Sequence, residues 1–186
     1  MKDQAQRLRE IVNSIKKEEI LETPPYNVSE PPEAQNDSIG NARVIAITSG
    51  KGGVGKTNLT INLGLALKQL GHRVMILDAD LGLANIDVII GVIPKFTLAH
   101  VIRHEKTLED ILVSGPNEIQ IISGGSGLRE LVDLTERQLI DLIDNLKIIG
   151  ENVDFILIDT GAGISQSVLS FTDAAEEIIL VSTPEP

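Results

Sequence analysis

The chain alternates short, uninterrupted runs of aliphatic residues with longer segments in which apolar residues recur every three or four positions. Uninterrupted β-branched runs are typical of buried strands, and the longer spacing is typical of helices that bury one side. The strand pattern occupies residues 43–48, 73–78, 118–123, 154–159 and 177–181. The helical pattern occupies residues 58–70, 98–112, 129–149 and 165–173. This alternation predicts an α/β fold, a mostly parallel sheet with helices on both faces.

The N-terminal part of the chain follows a different pattern. Residues 3–21 place apolar side chains on one helical stripe and charged side chains mostly elsewhere. Residues 22–42 contain four prolines among short polar residues, which is typical of a flexible linker. The sequence thus predicts a helix over 1–21, a linker over 22–42 and a globular domain over 43–186. The stripe either packs on its own domain or docks in a groove of another protein, and the residues alone leave both open.

A glycine-rich segment links the first predicted strand to the first predicted helix. Residues 50–57, GKGGVGKT, match the phosphate-loop pattern G-x-x-x-x-G-K-[ST]. In such a loop the glycines let backbone N–H groups point at an anion, the lysine contacts the β- and γ-phosphates, and the threonine hydroxyl coordinates Mg²⁺. The predicted nucleotide-binding residues of this segment are Gly50, Lys51, Gly52, Gly53, Val54, Gly55, Lys56, Thr57 and Asn58.

The same glycines also satisfy the dinucleotide-binding fingerprint G-x-G-x-x-G. That kind of site needs an acidic residue about 20 positions further on. Asp78 and Asp80 come later than this, and a dinucleotide site makes no use of the Lys56-Thr57 pair. The pattern therefore favours a nucleoside triphosphate over a nicotinamide or flavin cofactor.

Acidic residues follow two of the predicted strands, where ligands of parallel sheets bind. Asp78 and Asp80 close the second strand, and Asp159 closes the fourth. Asp159 has the position of the acid that lies close to Mg²⁺, whereas Asp80 is predicted to position or activate the attacking water. Gly161 is predicted to bring a backbone N–H to the γ-phosphate. The alternative for each aspartate is a helix N-cap or a turn. The predicted Mg²⁺ ligands are Thr57, Asp80 and Asp159.

Composition narrows the classes of function. The net charge of −11 argues against a broad nucleic-acid-binding surface, so no nucleic-acid partner is expected. The chain has no cysteine, which excludes disulfides, thiolate metal sites and cysteine nucleophiles and is compatible with the cytoplasm. No apolar run reaches the ~20 residues of a membrane span, and the charged N-terminus does not fit a secretory signal.

Two further motifs have ordinary explanations. His100 and His104 are four residues apart, but without a third ligand nearby this spacing is a weak indication of a metal site. Residues 124–127, Gly-Gly-Ser-Gly, resemble a phosphate loop only in composition, because they lack the Lys-Thr pair. A loop between a strand and a helix is predicted there.

Three segments carry a resemblance to a known family. Residues 49–57 resemble the deviant phosphate loop of MinD/ParA-type ATPases, which has a second lysine at the position of Lys51. Residues 76–87, ILDADLGLANID, are similar to the segment that follows in MinD-like members. At the N-terminus, Asp3-Gln4-Ala5-x-x-Leu8-Arg9 is similar to the activation motif of the FlhG family, also called YlxH or FleN. The resemblance covers the whole chain.

The resemblance implies a slow ATP hydrolase that dimerises face to face around two ATP molecules, with Mg²⁺. In that dimer Lys51 crosses to the partner's phosphates and joins Asp80 in catalysis. FlhG-family proteins regulate flagellar number and placement, and flagellar C-ring switch proteins are among their partners. Their N-terminal helix stimulates the signal-recognition-type GTPase FlhF, and the residues that match this helix here are Asp3, Gln4, Ala5, Leu8 and Arg9.

Family members also continue past the position of residue 186, with more strands and a C-terminal amphipathic helix that binds the cytoplasmic face of the membrane. The resemblance therefore implies that this chain is incomplete at its C-terminus. One alternative is a MinD/ParA-type ATPase that positions or partitions another cargo, such as a chromosome, a plasmid or the division site. A second is a binding module whose active part is the N-terminal helix.

Overall fold

The structure, a computed structural model, describes residues 42–80, 82, 84–125, 135–149 and 152–184. The predicted helix over 1–21 and the predicted linker over 22–42, apart from its last residue, lie outside these ranges. The same holds for the predicted partner-binding residues Asp3, Gln4, Ala5, Leu8 and Arg9.

The described residues form a six-stranded sheet with helices. In chain order the elements are β1 Arg43–Ser49, α1 Lys56–Gln69, β2 Val74–Ala79, α2 Ile86–Ile90, α3 Leu98–Ile102, β3 Val113–Ser114, β4 Gln120–Ile122, α4 Glu136–Ile149, β5 Phe155–Ala162, α5 Gln166–Ala174 and β6 Glu177–Leu180. The strand order is β3-β4-β2-β5-β1-β6, and every neighbouring pair is parallel except β3 with β4. The predicted mostly parallel sheet is confirmed.

Both faces of the sheet are buried, which explains why the strands are apolar throughout. Successive residues of β2 alternate between two cores, because side chains of a strand point to opposite faces. Val74 and Ile76 pack with residues of α1 and α2, while Met75 and Leu77 pack with residues of α3, α4 and α5. The prediction of helices on both faces is therefore confirmed. Within the described ranges, every helix is too short or too polar to cross a bilayer.

The prediction of one helix over 98–112 is wrong. Helix α3 ends at Ile102, and His104 has a left-handed φ of 58°. The amides of Glu105 and Lys106 then donate to the carbonyl of His100, at 2.8 and 3.2 Å, which closes a tight turn. A separate helical turn then begins. The side chains of Thr107 and Asp110 each accept from the other's backbone N–H, and a 3₁₀ turn follows over Glu109–Ile111. Apolar spacing alone cannot reveal such an interruption.

The strand predicted over 118–123 is shorter in the structure. Pro116–Glu118 forms a 3₁₀ turn in which Asn117 and Glu118 have positive φ, so β4 starts only at Gln120. The turn reverses the chain, so that β4 pairs antiparallel with β3, the short edge strand that precedes the turn. The sequence pattern does not predict β3.

Capping residues set the start of the two C-terminal helices. The Thr135 and Gln138 side chains each bond the other's backbone N–H, a capping box that starts α4. The N-terminal part of the helix predicted over 129–149 lies outside the described residues. Ser165 caps α5 by accepting from the Val168 amide at 3.4 Å, close to the predicted start at residue 165.

Candidate functional site

The glycine loop connects the end of β1 directly to the start of α1. Gly53 and Gly55 have φ angles of 78° and 91°, which residues with a Cβ adopt only with strain. A Cβ built on any of the four loop glycines would meet no atom within 4 Å, so open space lies beside the loop. Helix α1 begins at Lys56 without an acidic residue in its first turn, so no carboxylate there offsets the positive end of the helix.

A buried ion pair links the loop to β5. Lys56 Nζ donates to Asp159 Oδ1 at 2.9 Å, and the two side chains are only 8% and 1% exposed. The Thr60 hydroxyl lies 3.3 Å from the same carboxylate oxygen and 3.0 Å from the Lys56 carbonyl. Thr60 is a residue that sequence reasoning missed, although its position one turn after Lys56 places it on the same face of α1. Lys56 and Asp159, predicted for separate roles, are direct partners here.

Asp78 lies beside Asp159 in the register of β2 and β5 and is also buried. Its Oδ2 accepts from the amides of Asn85 and Ile86, at 2.9 and 3.0 Å, and its Oδ1 accepts from the Asp80 amide at 3.2 Å. The pKa of Asp78 is raised to about 7, chiefly by burial and to a smaller extent by the charge of Asp159, while the three amides oppose the rise. Asp78 therefore has a structural role at the strand end, closing a turn to Asp80 and anchoring the start of α2, whose N-cap residue is Asn85.

We expect the free energy of unfolding to fall as pH rises from about 4 to about 7, because only the folded chain holds the Asp78 proton in that window. A rise of this pKa from 3.8 to about 7 corresponds to stability on the order of 4 kcal/mol, complete at low pH and lost as pH passes through 7. Asp78→Asn, which stays neutral, should flatten this dependence in urea titrations without nucleotide or metal.

The matched control is Asp154→Asn, at the opposite end of the sheet. Hydrogen bonds from Arg73 hold the pKa of Asp154 below its ordinary value of 3.8, so its contribution is present above that pH and lost only below it. This variant should therefore leave the slope between pH 5 and 7 unchanged. An unaltered slope in Asp78→Asn would contradict the assignment to Asp78.

A cavity of about 760 Å³ lies where the phosphate loop meets the ends of β2 and β5. The predicted site residues that line it are Gly52, Gly53, Val54, Gly55, Lys56, Thr57, Asn58, Asp80 and Gly161. Three predicted residues are not in the lining. Gly50 and Lys51 are exposed on the loop, and Asp159 is held beneath it by Lys56. The cavity thus gathers most of the predicted residues in one place.

The end of β5 and the turn after it approach the end of β2 across the cavity. A Cβ on Gly161 would lie 3.7 Å from Asp80 Oδ1, which is van der Waals contact, so the two residues are direct neighbours. The Gly163 amide donates to the Ser49 carbonyl at 2.9 Å, which ties this turn to the start of the phosphate loop. The half-buried Asp80 therefore faces the space beside the loop glycines.

Two parts of the lining were missed by sequence reasoning. Val88 and Ile89 of α2 supply an apolar wall, although they are 76% and 49% exposed. Ser165, Gln166 and Ser167 at the start of α5 supply a polar wall. The signal for the second wall was the predicted helix start at Ser165, which follows a strand end and so lies at the ligand edge of the sheet.

The donor set of the cavity fits a magnesium-bound phosphate chain. Lys56 supplies a cation, the loop supplies backbone amides, and Thr57 and Asp80 supply the oxygen ligands that Mg²⁺ prefers. The dinucleotide alternative is weaker, because the Asp78 carboxylate is buried against three amides and is not among the cavity-lining residues.

The histidine pair makes other contacts. His100 Nδ1 accepts from the Thr97 amide at 3.2 Å as part of the cap of α3. The His100 ring also packs edge-on against Phe96. In the part of the chain that the structure describes, no three His, Asp or Glu residues are grouped as a metal site would require.

The parallel sheet, the glycine loop at the end of β1 and the lysine that opens α1 define the class of protein as a P-loop nucleotide-binding domain. The AAA domain family matches residues 42–186. The chain belongs to the FlhG/MinD/ParA-type family of P-loop ATPases. This confirms the family resemblance expected from residues 49–57 and 76–87.

Three known proteins illustrate the similarity. The antiactivator FleN of Pseudomonas aeruginosa is 50% identical over 152 residues, which cover 82% of this chain and 54% of FleN. The flagellum site-determining protein YlxH of Helicobacter pylori is 37% identical over 155 residues, which cover 83% of this chain and 53% of YlxH. The structure of the septum site-determining protein MinD from Pyrococcus horikoshii, complexed with Mg-ADP, has a TM-score of 0.70 and 37% identity and covers 78% of this chain and 59% of MinD. The chain spans about half the length of the curated relatives it matches.

Proposed function

We propose that the chain binds Mg-ATP in this cavity and hydrolyses it slowly, as an ATP-dependent dimeric switch that regulates flagellar number and placement. The observation that carries the proposal is the cavity beside the glycine loop, with Lys56 buried at its base against Asp159. The Mg-ADP complex of MinD supports the choice of nucleotide and metal. The similarity to the flagellum site-determining protein YlxH supports the flagellar role.

The residues at the cavity divide into binding and hydrolytic roles. Lys56 and the loop amides hold the phosphate chain. The Thr57 hydroxyl and Asp80 hold the metal, and Asp159, beneath the loop, is the third proposed metal ligand. Bound Mg²⁺ neutralises phosphate charge. Asp80 also orients the attacking water, because its carboxylate lines the cavity at the open end of β2. The Gly161 amide contacts the γ-phosphate. Measuring phosphate release from Mg-ATP tests the enzymatic part of the proposal.

Lys51 is the proposed contact between two copies. Its exposure on the loop, outside the lining of its own chain's cavity, supports a contact with a neighbouring chain. Lys51→Ala should abolish ATP-dependent dimerisation while the monomer still binds nucleotide. Light scattering with Mg-ATP measures the first effect and calorimetry the second. A dimer that forms normally without this lysine would contradict the proposed contact.

The proposed partner of residues 1–21 is the GTPase FlhF, with Asp3, Gln4, Ala5, Leu8 and Arg9 as the contacting residues. The stripe of apolar residues supports docking in a groove. Deleting residues 1–21 should leave ATP binding unchanged and remove the stimulation of FlhF GTP hydrolysis. As a matched control, Leu8→Ala should weaken stimulation, whereas Lys16→Ala, off the stripe, should not. Stimulation that survives the deletion would contradict this role.

The flagellar C-ring switch proteins are proposed as further partners, and the proposed location is the cytoplasm and the cytoplasmic face of the membrane. A second candidate function is the placement of the division site or another cargo, which the fold similarity to MinD favours. Removing the gene from its native host separates the two. Altered flagellar counts with normal division support the flagellar role, and misplaced septa or lost cargo support the second.

A further inference from the structure

Asp78 accepts hydrogen bonds from two places along the chain that contribute to the cavity. One carboxylate oxygen accepts from the Asp80 amide, and the other accepts from the amides of Asn85 and Ile86. Asp80 and Asn85 line the cavity, and Ile86 begins the helix that carries the apolar wall. A single side chain therefore holds both ends of the segment that follows β2.

This set of three hydrogen bonds, the Asp78 clamp, starts from a closely packed part of the sheet. The Asp78 side chain is almost completely buried in the centre of the sheet, next to β5. On the other side, the chain after β4 comes so close that a Cβ on Gly124 would lie 2.6 Å from the Asp78 carbonyl oxygen. This contact gives Gly124 a packing role that composition alone does not suggest. Ser123 adds a second tie, because its hydroxyl donates to Asp87 of α2 at 3.2 Å.

We infer that Asp78 is a positioning residue for hydrolysis, which fixes the place of Asp80 and of α2 relative to the phosphate loop without touching the nucleotide. This inference rests on the proposed function. The three hydrogen bonds fix the positions of the Asp80, Asn85 and Ile86 amides, because an amide that loses its acceptor at this buried site is left unsatisfied. The phosphate loop is attached to β5 separately, through the Lys56–Asp159 ion pair. Loss of the Asp78 hydrogen bonds should therefore change turnover more than nucleotide binding.

The test compares Asp78→Asn with Asp154→Asn, a carboxylate that likewise holds a strand start through a backbone amide but at the far end of the sheet. Asp78→Asn keeps one acceptor oxygen and places an NH₂ group against at least one of the amides. It should lower kcat for ATP by about 10-fold or more and leave KM within about 3-fold. Hydrogen exchange followed by mass spectrometry should be faster in peptides spanning 79–90 and unchanged in the phosphate loop. Asp154→Asn should change neither quantity.

An unchanged kcat together with unchanged exchange over 79–90 would overturn the inference. Should Asp78→Asn fail to fold, exchange rates of the wild-type amides by NMR decide the question. Asn85 and Ile86 should then exchange at least about 100-fold more slowly than the exposed Gly82, and equal rates would overturn the clamp. If wild type does not bind or hydrolyse Mg-ATP, the proposed function fails, while the exchange measurements still test the clamp.

Discussion

Replacing Lys56 by alanine is expected to weaken Mg-ATP binding by about 100-fold or more and to lower the free energy of unfolding by about 3–5 kcal/mol. The first effect follows because the variant loses the cation at the base of the cavity. The second follows because Asp159, which is 1% exposed, loses its charged partner at 2.9 Å, while its hydrogen bond from the Thr60 hydroxyl does not replace that charge. Calorimetric titration with Mg-ATP measures the first effect, and urea denaturation measures the second.

A double variant separates these two effects. Lys56→Met with Asp159→Asn replaces the buried pair by neutral side chains of similar size, which commonly restores stability. We expect this variant to recover most of the unfolding free energy and still fail to bind Mg-ATP. Recovery of binding together with stability would show that Lys56 acts only through folding, which contradicts its proposed role at the phosphates.

The fold and the binding loop could be predicted because both depend on local patterns. Apolar runs define the central strands, and the glycine and lysine spacing of residues 50–57 fixes the kind of loop. Position in the sheet then follows, since strand ends of parallel sheets meet at one edge. This is how Asp80 and Gly161, about 80 positions apart in the chain, could be assigned to one site before their approach was seen.

The remaining features depend on contacts that a sequence pattern does not encode. Lys56 and Asp159 both carry the expected charge, but only the fold shows that they are partners. Asp78 and Asp80 both lie at the end of a strand, where capping residues are common. Only burial shows that Asp78 anchors the backbone and that Asp80 lines the cavity. The interruption after Ile102 depends on the positive φ of His104, which few side chains adopt.

Replacing Asp80 by asparagine is expected to lower ATP turnover by about 100-fold while changing ATP affinity by less than about 5-fold, because the amide oxygen can still coordinate Mg²⁺ but cannot accept a proton from the attacking water. Of the three carboxylates at the ends of β2 and β5, Asp78 is bonded to amides and Asp159 is bonded to Lys56, and only Asp80 lines the cavity. Its place is set through its backbone amide, which donates to Asp78, so the side-chain change leaves that contact intact. Single-turnover phosphate release, with affinity measured separately, gives both quantities.

Asp87→Asn is the matched control for Asp80→Asn, because it removes the same charge from the neighbouring helix and Asp87 does not line the cavity. Its carboxylate instead accepts from the Ser123 hydroxyl, and asparagine keeps an oxygen that can accept the same hydrogen bond, so the position of α2 is preserved. A purely electrostatic effect on the phosphates would change both variants alike, whereas a positional effect on the attacking water should appear only in Asp80→Asn. Turnover within twofold of wild type in Asp80→Asn would exclude it as the group that orients water. Asp159 would then be the next carboxylate to test, in the variant that also replaces Lys56, so that no buried charge is left unpaired.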